Sequence, residues 1–304
     1  MWSKNYPEEN QDKENTEKKF DQEILDELKE EFDKSSNFSE EQSEFDDLDI
    51  KTVFVTGANG YLGSWIVFYL LKNNYSVKAS VRCLKETHRY DHLLALDEVK
   101  KNPHKLQIVE AKLEDTHIWP SLLLGTQAII HTASPNPYFP LKNPLDLIYP
   151  SVEGTLSLLH AAHSLKIKYF ILTGSLSNIG TCHRKIYTES TYATLTNLSP
   201  YNQSKLISEL SANYYNKQAG NPFQLITLLP GTFFGPTLQN SLNSSSCMLF
   251  QKIMKGEAKN LFKSEIGFCD VRDVAKAHVN CLKFKYQEVS FLVWKIFGRN
   301  FCFF

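Results

Sequence analysis

Tyr201 stands four positions before Lys205 in the stretch SPYNQSK, directly after Pro200. Four residues make slightly more than one turn of helix, so the phenol and the ammonium project from one face. An ammonium beside a phenol favours the phenolate and is expected to lower the tyrosine from about 10 towards working pH. A phenol so tuned is a general acid for the oxygen of a ketone or aldehyde. That chemistry also calls for a hydroxyl that polarises the carbonyl. Ser175, in YFILTGS at the end of an apolar run, is the candidate. A tyrosine–lysine pair at this spacing is common in ordinary helices, so it gains meaning only from its surroundings.

The surroundings are a glycine trio. In TVFVTGANGYLGSWIVFYLL, Gly57, Gly60 and Gly63 fall between a short β-branched run and an amphipathic stretch. Strand, tight turn and helix in that order place the helix N-terminus, with its free N–H groups and partial positive charge, where a pyrophosphate binds. The spacing is GxxGxxG, and the strand before and helix after supply the context that a bare glycine pattern lacks. The next run, SVKASVR, ends on Arg82, where an NAD-binding fold carries an acid for the ribose 2′-hydroxyl. A guanidinium there suits the 2′-phosphate of NADP, and Lys85 adds charge nearby. NADP(H) is therefore expected in preference to NAD(H).

The elements that must position these groups are legible as short runs rich in β-branched and aromatic residues. They lie at 52–57, 76–82, 106–111, 128–134, 169–175 and 223–230. Longer amphipathic stretches such as YLGSWIVFYLLKNN and PSVEGTLSLLHAAHSL separate them. Strands alternating with helices predict an α/β fold, a doubly wound parallel sheet of Rossmann type covered on both faces.

The ends differ from this body. Residues 1–50 hold 18 acids and 6 bases, leaving 16 acids and 27 bases in the rest of a 304-residue chain of net charge −1. An acidic, largely disordered tail is expected at 1–50, followed by a nucleotide-binding domain at 51–235 and a partial substrate lobe with an atypical C-terminus at 236–304. Phe20, Ile24, Leu28 and Phe32 recur every four residues and could form a helical face that docks on a protein partner or on the body, the alternative, which composition favours, being a solvated tail with transient helix. The six cysteines show no paired spacing, so neither a zinc site nor a disulfide framework is expected. No apolar stretch reaches membrane-spanning length and the start lacks a signal-peptide core, which points to a soluble cytoplasmic protein with no membrane or nucleic-acid partner. His131 sits in a buried strand pattern and is expected to pack in the core. His160 and His163 lack a third ligand and are not expected to bind metal.

Taken in order, VTGANGYLGSWIV, SVR, IIHTASP, PSVEGT, LTGS, SPYNQSK, LLPGTFFGP and FCDVRDVAKAHV resemble the successive motifs of the extended short-chain dehydrogenases/reductases, the NAD-dependent epimerase/dehydratase superfamily. The branch most similar contains the dihydroflavonol reductases and cinnamoyl-CoA reductases. The resemblance covers residues 52–283. It implies Ser175 as carbonyl polariser, Tyr201 as acid/base, and Lys205 as both tuner of Tyr201 and holder of the nicotinamide ribose. It also implies that Leu113 borders the adenine, that Thr132 and Ala133 flank the cofactor, and that Pro230 and Phe233 lie near the nicotinamide.

The chain departs from the family pattern in several places. Lys112-Leu113 replaces an Asp-Leu pair, and Thr173-Gly174-Ser175 replaces a TSS triplet while keeping its second serine. NLSPYNQSK is not the NWYCYGK-like stretch of cinnamoyl-CoA reductases, and the asparagine that contacts dihydroflavonol has no counterpart in register, Asn178 being the nearest. After VAKAHVNCLKF the family continues into a longer substrate lobe, whereas here the chain reads KYQEVSFLVWKIFGRNFCFF. The expected activity is NADPH-dependent reduction of a ketone or aldehyde on a small molecule, reversible as alcohol oxidation. The alternatives are an NAD-dependent sugar-nucleotide epimerase or dehydratase, against which Arg82 argues, and a catalytically impaired nucleotide-binding regulatory protein.

Overall fold

A computed structural model describes residues 50–135, 143–180, 191–239, 244–257, 268–283 and 289–293. All of them belong to the unit Asp49–Phe304. The acidic segment with its Phe20, Ile24, Leu28 and Phe32 lies outside the described residues, as do Cys182 and Cys302.

Six of the strands fall on the six runs read from the sequence: β1 (Thr52–Thr56), β2 (Ser76–Val81), β3 (Leu106–Glu110), β4 (Ala128–His131), β5 (Tyr169–Thr173) and β6 (Gln224–Pro230). They pair in parallel in the order β3-β2-β1-β4-β5-β6. The order reverses between β1 and β4, and it is outside the carboxyl ends of strands at such a point that α/β sheets bind ligands. Alternation along β1 explains how both faces are covered. Val53 and Val55 point into a layer built with Leu62, Ile66 and Leu70 of helix α1 (Tyr61–Lys72) and Val274 of a later helix. Phe54 points the other way, with Leu158 and Leu159 of α2 (Leu145–Ser164) and Ala212 of α3 (Pro200–Gln218).

Two features were not foreseen. Helix α2 begins at Leu145, five residues before Pro150, which the amphipathic pattern had suggested as its start. A proline lacks the N–H that would close the preceding turn, yet one inside the first turns is accommodated when the upstream residues pack, as the buried Leu147 does. The apolar stretch near the C-terminus also has a defined place in part. Strand β9 (Val289–Val293) pairs in parallel with β6, Ile226 opposite Val289 and Pro230 opposite Val293, as a seventh strand on that edge. Covering the edge of β6 is a structural use for residues otherwise exposed as an unpaired ladder.

Beyond β6 the chain forms β7 (Thr232–Phe234), helix α4 (Ser245–Met254), β8 (Phe268–Asp270) and helix α5 (Val271–Asn280). Strands β7 and β8 pair in a separate two-stranded sheet. Among the described residues no helix is long and apolar enough to cross a membrane.

Candidate active site

The turn after β1 is shaped by its glycines in three different ways. Gly57 adopts a positive φ of 64°, the left-handed region that side chains disfavour, and a Cβ there would lie 3.0 Å from the Cα of Ala133. Gly60 is the extended residue that opens α1, with no side chain to cap the first N–H groups. Those groups are left pointing out of the helix end. Gly63 is packed hardest: a Cβ would come within 2.2 Å of the Gly57 carbonyl oxygen. The cradle is thus one that added atoms would fill, and it fits a pyrophosphate held by backbone N–H groups.

The same turn is tied to the exit of β4. Thr56 Oγ1 accepts from the backbone N–H groups of both Thr132 and Ala133 at 3.0 Å, and Thr132 Oγ1 donates to the Thr56 carbonyl at 2.7 Å. It is also tied to the segment after β6. The Tyr61 hydroxyl donates to the Gly235 carbonyl at 2.7 Å, Trp65 Nε1 donates to that of Pro236 at 2.9 Å, and the Tyr61 ring lies 5.8 Å from that of Phe233. Thr56, Tyr61 and Trp65 are positioning residues that the sequence reading missed, since each bond spans more than 70 residues of chain.

Arg82 and Lys85 are exposed just past β2. Among the described residues Arg82 forms no ion pair, so its guanidinium is available to an anion such as a 2′-phosphate. Leu113 is buried, and its side chain would lie 3.0 Å from any Cβ added at Gly154 of α2. Pro230 is buried as the last residue of β6, while Thr132, Ala133 and Phe233 are half-buried.

The candidate catalytic groups come from the end of β5 and the start of α3. Ser199 caps α3, accepting from the Asn202 N–H at 3.3 Å, and Pro200 takes the first helical position, where its missing N–H is harmless. Tyr201 follows, half-buried, and Lys205 one turn later is buried, its Nζ donating to the Thr173 carbonyl at 2.8 Å. That bond joins α3 to the last residue of β5, two positions before Ser175. Gly174 between them has no room for a side chain, as a Cβ would meet Leu229 Cδ2 at 2.6 Å. Ser175 Oγ accepts twice, from Ser177 Oγ at 2.8 Å and from the Ser177 N–H at 3.3 Å. Its acceptor sites are filled, so the hydroxyl proton is free to be donated. Asn178 turns inward instead, donating to Glu209 at 2.5 Å.

The electrostatics differ from the sequence-based expectation. Burial pushes Tyr201 up to about 12, and no opposing effect of Lys205 is resolved. The reason is geometric: a shared helical face fixes where two Cβ atoms point, but the lysine stem runs on to Thr173. Tyr201 is therefore a protonated phenol at neutral pH. Burial lowers Lys205 from 10.5 to about 8. Its charge in turn adds to the burial that lowers His131 to about 3 and His278 to about 4. His131 is a core histidine as expected, its Nδ1 2.7 Å from Thr56 Oγ1 and its Nε2 3.1 Å from Thr155 Oγ1. The buried hydroxyls of Ser134, Ser151 and Ser208, unpaired among the described residues, line one small pocket with Lys205. His160 and His163 both approach the Tyr215 hydroxyl, and no metal-ligand cluster occurs among the described residues.

Because its folded pKa is depressed, Lys205 opposes folding fully below pH 8 and progressively less from 8 to 10.5. Lys205→Met should accordingly stabilise the chain at pH 7, by up to ~3 kcal/mol for a shift of this size. Thermal melts should show that gain shrinking as pH is raised towards 9.5. A destabilised variant would show that the ammonium is a net structural asset.

Comparison with known proteins adds to this geometry. The model of the NAD dependent epimerase/dehydratase family matches residues 53–294. The chain belongs to that family. Within it, the chain is 33% identical over 239 residues to cinnamoyl-CoA reductase CAD2 of Medicago truncatula, covering 75% of this chain and 71% of that one. It is 26% identical over 238 residues to dihydroflavonol 4-reductase of Dianthus caryophyllus, covering 75% and 65%. Among solved structures, the NADPH complex of Gre2 from Candida albicans superposes with a TM-score of 0.66 at 25% identity, covering 81% and 78%. This epimerase/dehydratase-family chain thus shares its parallel sheet with family reductases, and its similarity is to the reductase branch.

Proposed function

We propose that the protein is an NADPH-dependent reductase of a ketone or aldehyde carbonyl on a small organic molecule, running in reverse as an alcohol dehydrogenase. The observation that carries this reading is the arrangement at the end of β5. Ser175 has its acceptor sites filled and a proton to give, and Lys205 is anchored on Thr173 two positions before it. The similarity to a cinnamoyl-CoA reductase and a dihydroflavonol 4-reductase supports the same class, and the NADPH complex of Gre2 supports the cofactor.

In this reading the nicotinamide, when bound, supplies the hydride. Ser175 donates its free proton as a hydrogen bond to the carbonyl oxygen and stabilises the negative charge that develops there. Tyr201, kept protonated by burial, delivers its phenolic proton to that oxygen. Lys205, whose Nζ rests on the Thr173 carbonyl, would hold the nicotinamide ribose. Gly57, Gly60 and Gly63 admit the pyrophosphate to the N-terminus of α1, with Thr132 and Ala133 alongside and Arg82 and Lys85 on the 2′-phosphate. Leu113 borders the adenine through the wall it forms with Gly154, and Pro230 and Phe233 close the nicotinamide end. Residues after 235 contribute the substrate side.

Oxidation of NADPH against a panel of aldehydes and ketones tests the activity. A carbonyl-dependent loss of the reduced-nicotinamide absorbance is expected, and none across the panel would count against it. Cofactor choice is tested at Arg82. NADPH should bind more tightly than NADH, and Arg82→Ala should remove most of the difference, roughly tenfold to hundredfold for a charged hydrogen bond to phosphate. Equal affinities in the unaltered protein would contradict the assignment.

A further inference from the structure

Helix α5 is linked to the candidate active-site lysine through Thr173. His278 is fully buried on α5, 105 residues from its partner on β5. Its Nδ1 lies 2.8 Å from the Val274 carbonyl oxygen, which can only accept, so Nδ1 carries the ring proton. Nε2 is then a bare acceptor and takes the hydroxyl proton of Thr173 at 2.8 Å. Thr173 in turn offers its carbonyl to Lys205 Nζ at 2.8 Å. One residue, at the point where β5 leaves the sheet, is therefore gripped by its side chain from α5 and grips the lysine with its backbone.

We propose that His278 is a positioning residue that acts through Thr173 on Lys205, making the last described helix a part of the active-site scaffold. The inference rests on the reductase reading for its consequence in cofactor binding, but not for its geometry. A β-branched threonine has few side-chain rotamers, and the bond to Nε2 selects one of them. The hydroxyl bond to Nε2 and the bond from the Gly174 N–H to the Leu228 carbonyl at 2.8 Å act together on the direction of the Thr173 carbonyl that receives Nζ. The ring stays neutral because burial lowers it to about 4, so the tautomer and the direction of both hydrogen bonds persist through the neutral range. Thr173 is also the last β5 residue in register with β6, opposite Leu228. The Gly174 N–H still donates to the Leu228 carbonyl, so the side-chain tether reinforces the last bond of the β5–β6 ladder.

The test uses the full chain and four variants: His278→Leu, which keeps bulk and removes both nitrogens; His278→Gln, whose amide oxygen can accept from Thr173; Thr173→Val, which keeps shape and removes the hydroxyl; and Lys205→Met. The first readout is a crystal structure of the His278→Leu protein without cofactor. Lys205 Nζ should leave the Thr173 carbonyl, and should return to it in His278→Gln. If Nζ keeps its place in the leucine variant, the proposal is overturned. Should His278→Leu not fold, Thr173→Val decides the same point by the same readout, since it severs the tether without emptying the core.

The second readout is NADPH affinity by calorimetry. Loss of one hydrogen bond in the tether should weaken binding about tenfold in His278→Leu and in Thr173→Val, with no further loss when the two are combined. In the Lys205→Met background neither change should matter. A purely structural histidine would weaken both backgrounds alike, and that result also overturns the proposal. Failure of the unaltered protein to bind NADPH would count against the reductase reading, while the position of Lys205 would still decide the tether.

Discussion

Tyr201→Phe should abolish nearly all turnover while leaving a folded, cofactor-binding protein. The change removes one oxygen from a half-buried residue in the first turn of a helix whose cap, Ser199, and first residue, Pro200, are untouched. Packing and thermal stability should therefore stay close to those of the unaltered chain. Turnover with any carbonyl that the protein reduces should fall by the ~10²–10⁴-fold typical of a positioned general acid. Ser175→Ala should lower it less, because one hydrogen bond to the developing oxyanion is lost but the proton source remains. Steady-state rates for the two variants, measured beside NADPH affinity, separate chemistry from binding. Full activity with phenylalanine at position 201 would reduce the tyrosine–lysine pair to an ordinary turn of helix.

Gly63→Ala should nearly eliminate nucleotide binding and also weaken the fold. The added methyl would sit 2.2 Å from the Gly57 carbonyl oxygen and 3.0 Å from the Ala58 Cα, so the β1–α1 turn must open. Overpacking of this kind destabilises by about 1–3 kcal/mol. The same displacement moves the N–H groups that would receive the phosphates, with an expected tenfold to hundredfold loss of affinity or more. Gly60→Val provides the contrast. A Cβ at Gly60 meets only the Gly57 carbonyl at 3.0 Å, so the fold should persist with a smaller loss while the valine blocks the pyrophosphate's approach. Thermal melts paired with NADPH titrations read both effects. Tight NADPH binding by a folded Gly60→Val protein would refute the cradle.

The distinction between the two glycines shows what the sequence could reveal. GxxGxxG between a strand run and a helix run announced the turn, because the whole motif lies within a few residues of chain. That Gly63 carries the closest packing and Gly57 the positive φ is a matter of backbone path, which spacing does not encode. The six strands were legible for the same local reason: buried parallel strands read as short β-branched runs. Strand β9 was not, since its partner β6 lies about 60 residues upstream and the helix before it, α5, follows a strand of the separate two-stranded sheet.

The candidate site repeats the lesson. Tyr201, Lys205 and Ser175 were legible as residue types at suggestive positions, and the fold brings Lys205 to the end of the strand that carries Ser175. The direction of the tyrosine's shift was not legible, because the spacing of two residues on a helix says nothing about where a four-carbon stem ends. His278 and Thr56 were invisible for a further reason: each is defined by a partner 75 or more residues away.

The measurement closest to the central claim follows the hydride itself. NADPH carrying deuterium at nicotinamide C4, prepared separately on each face, would be incubated with the protein and a carbonyl compound that it consumes. With one of the two labelled cofactors, deuterium should appear on the carbon of the new alcohol, in step with formation of NADP⁺. NADPH oxidation with no deuterium in the alcohol from either cofactor, or with no alcohol formed, would contradict the assignment of this chain as a carbonyl reductase.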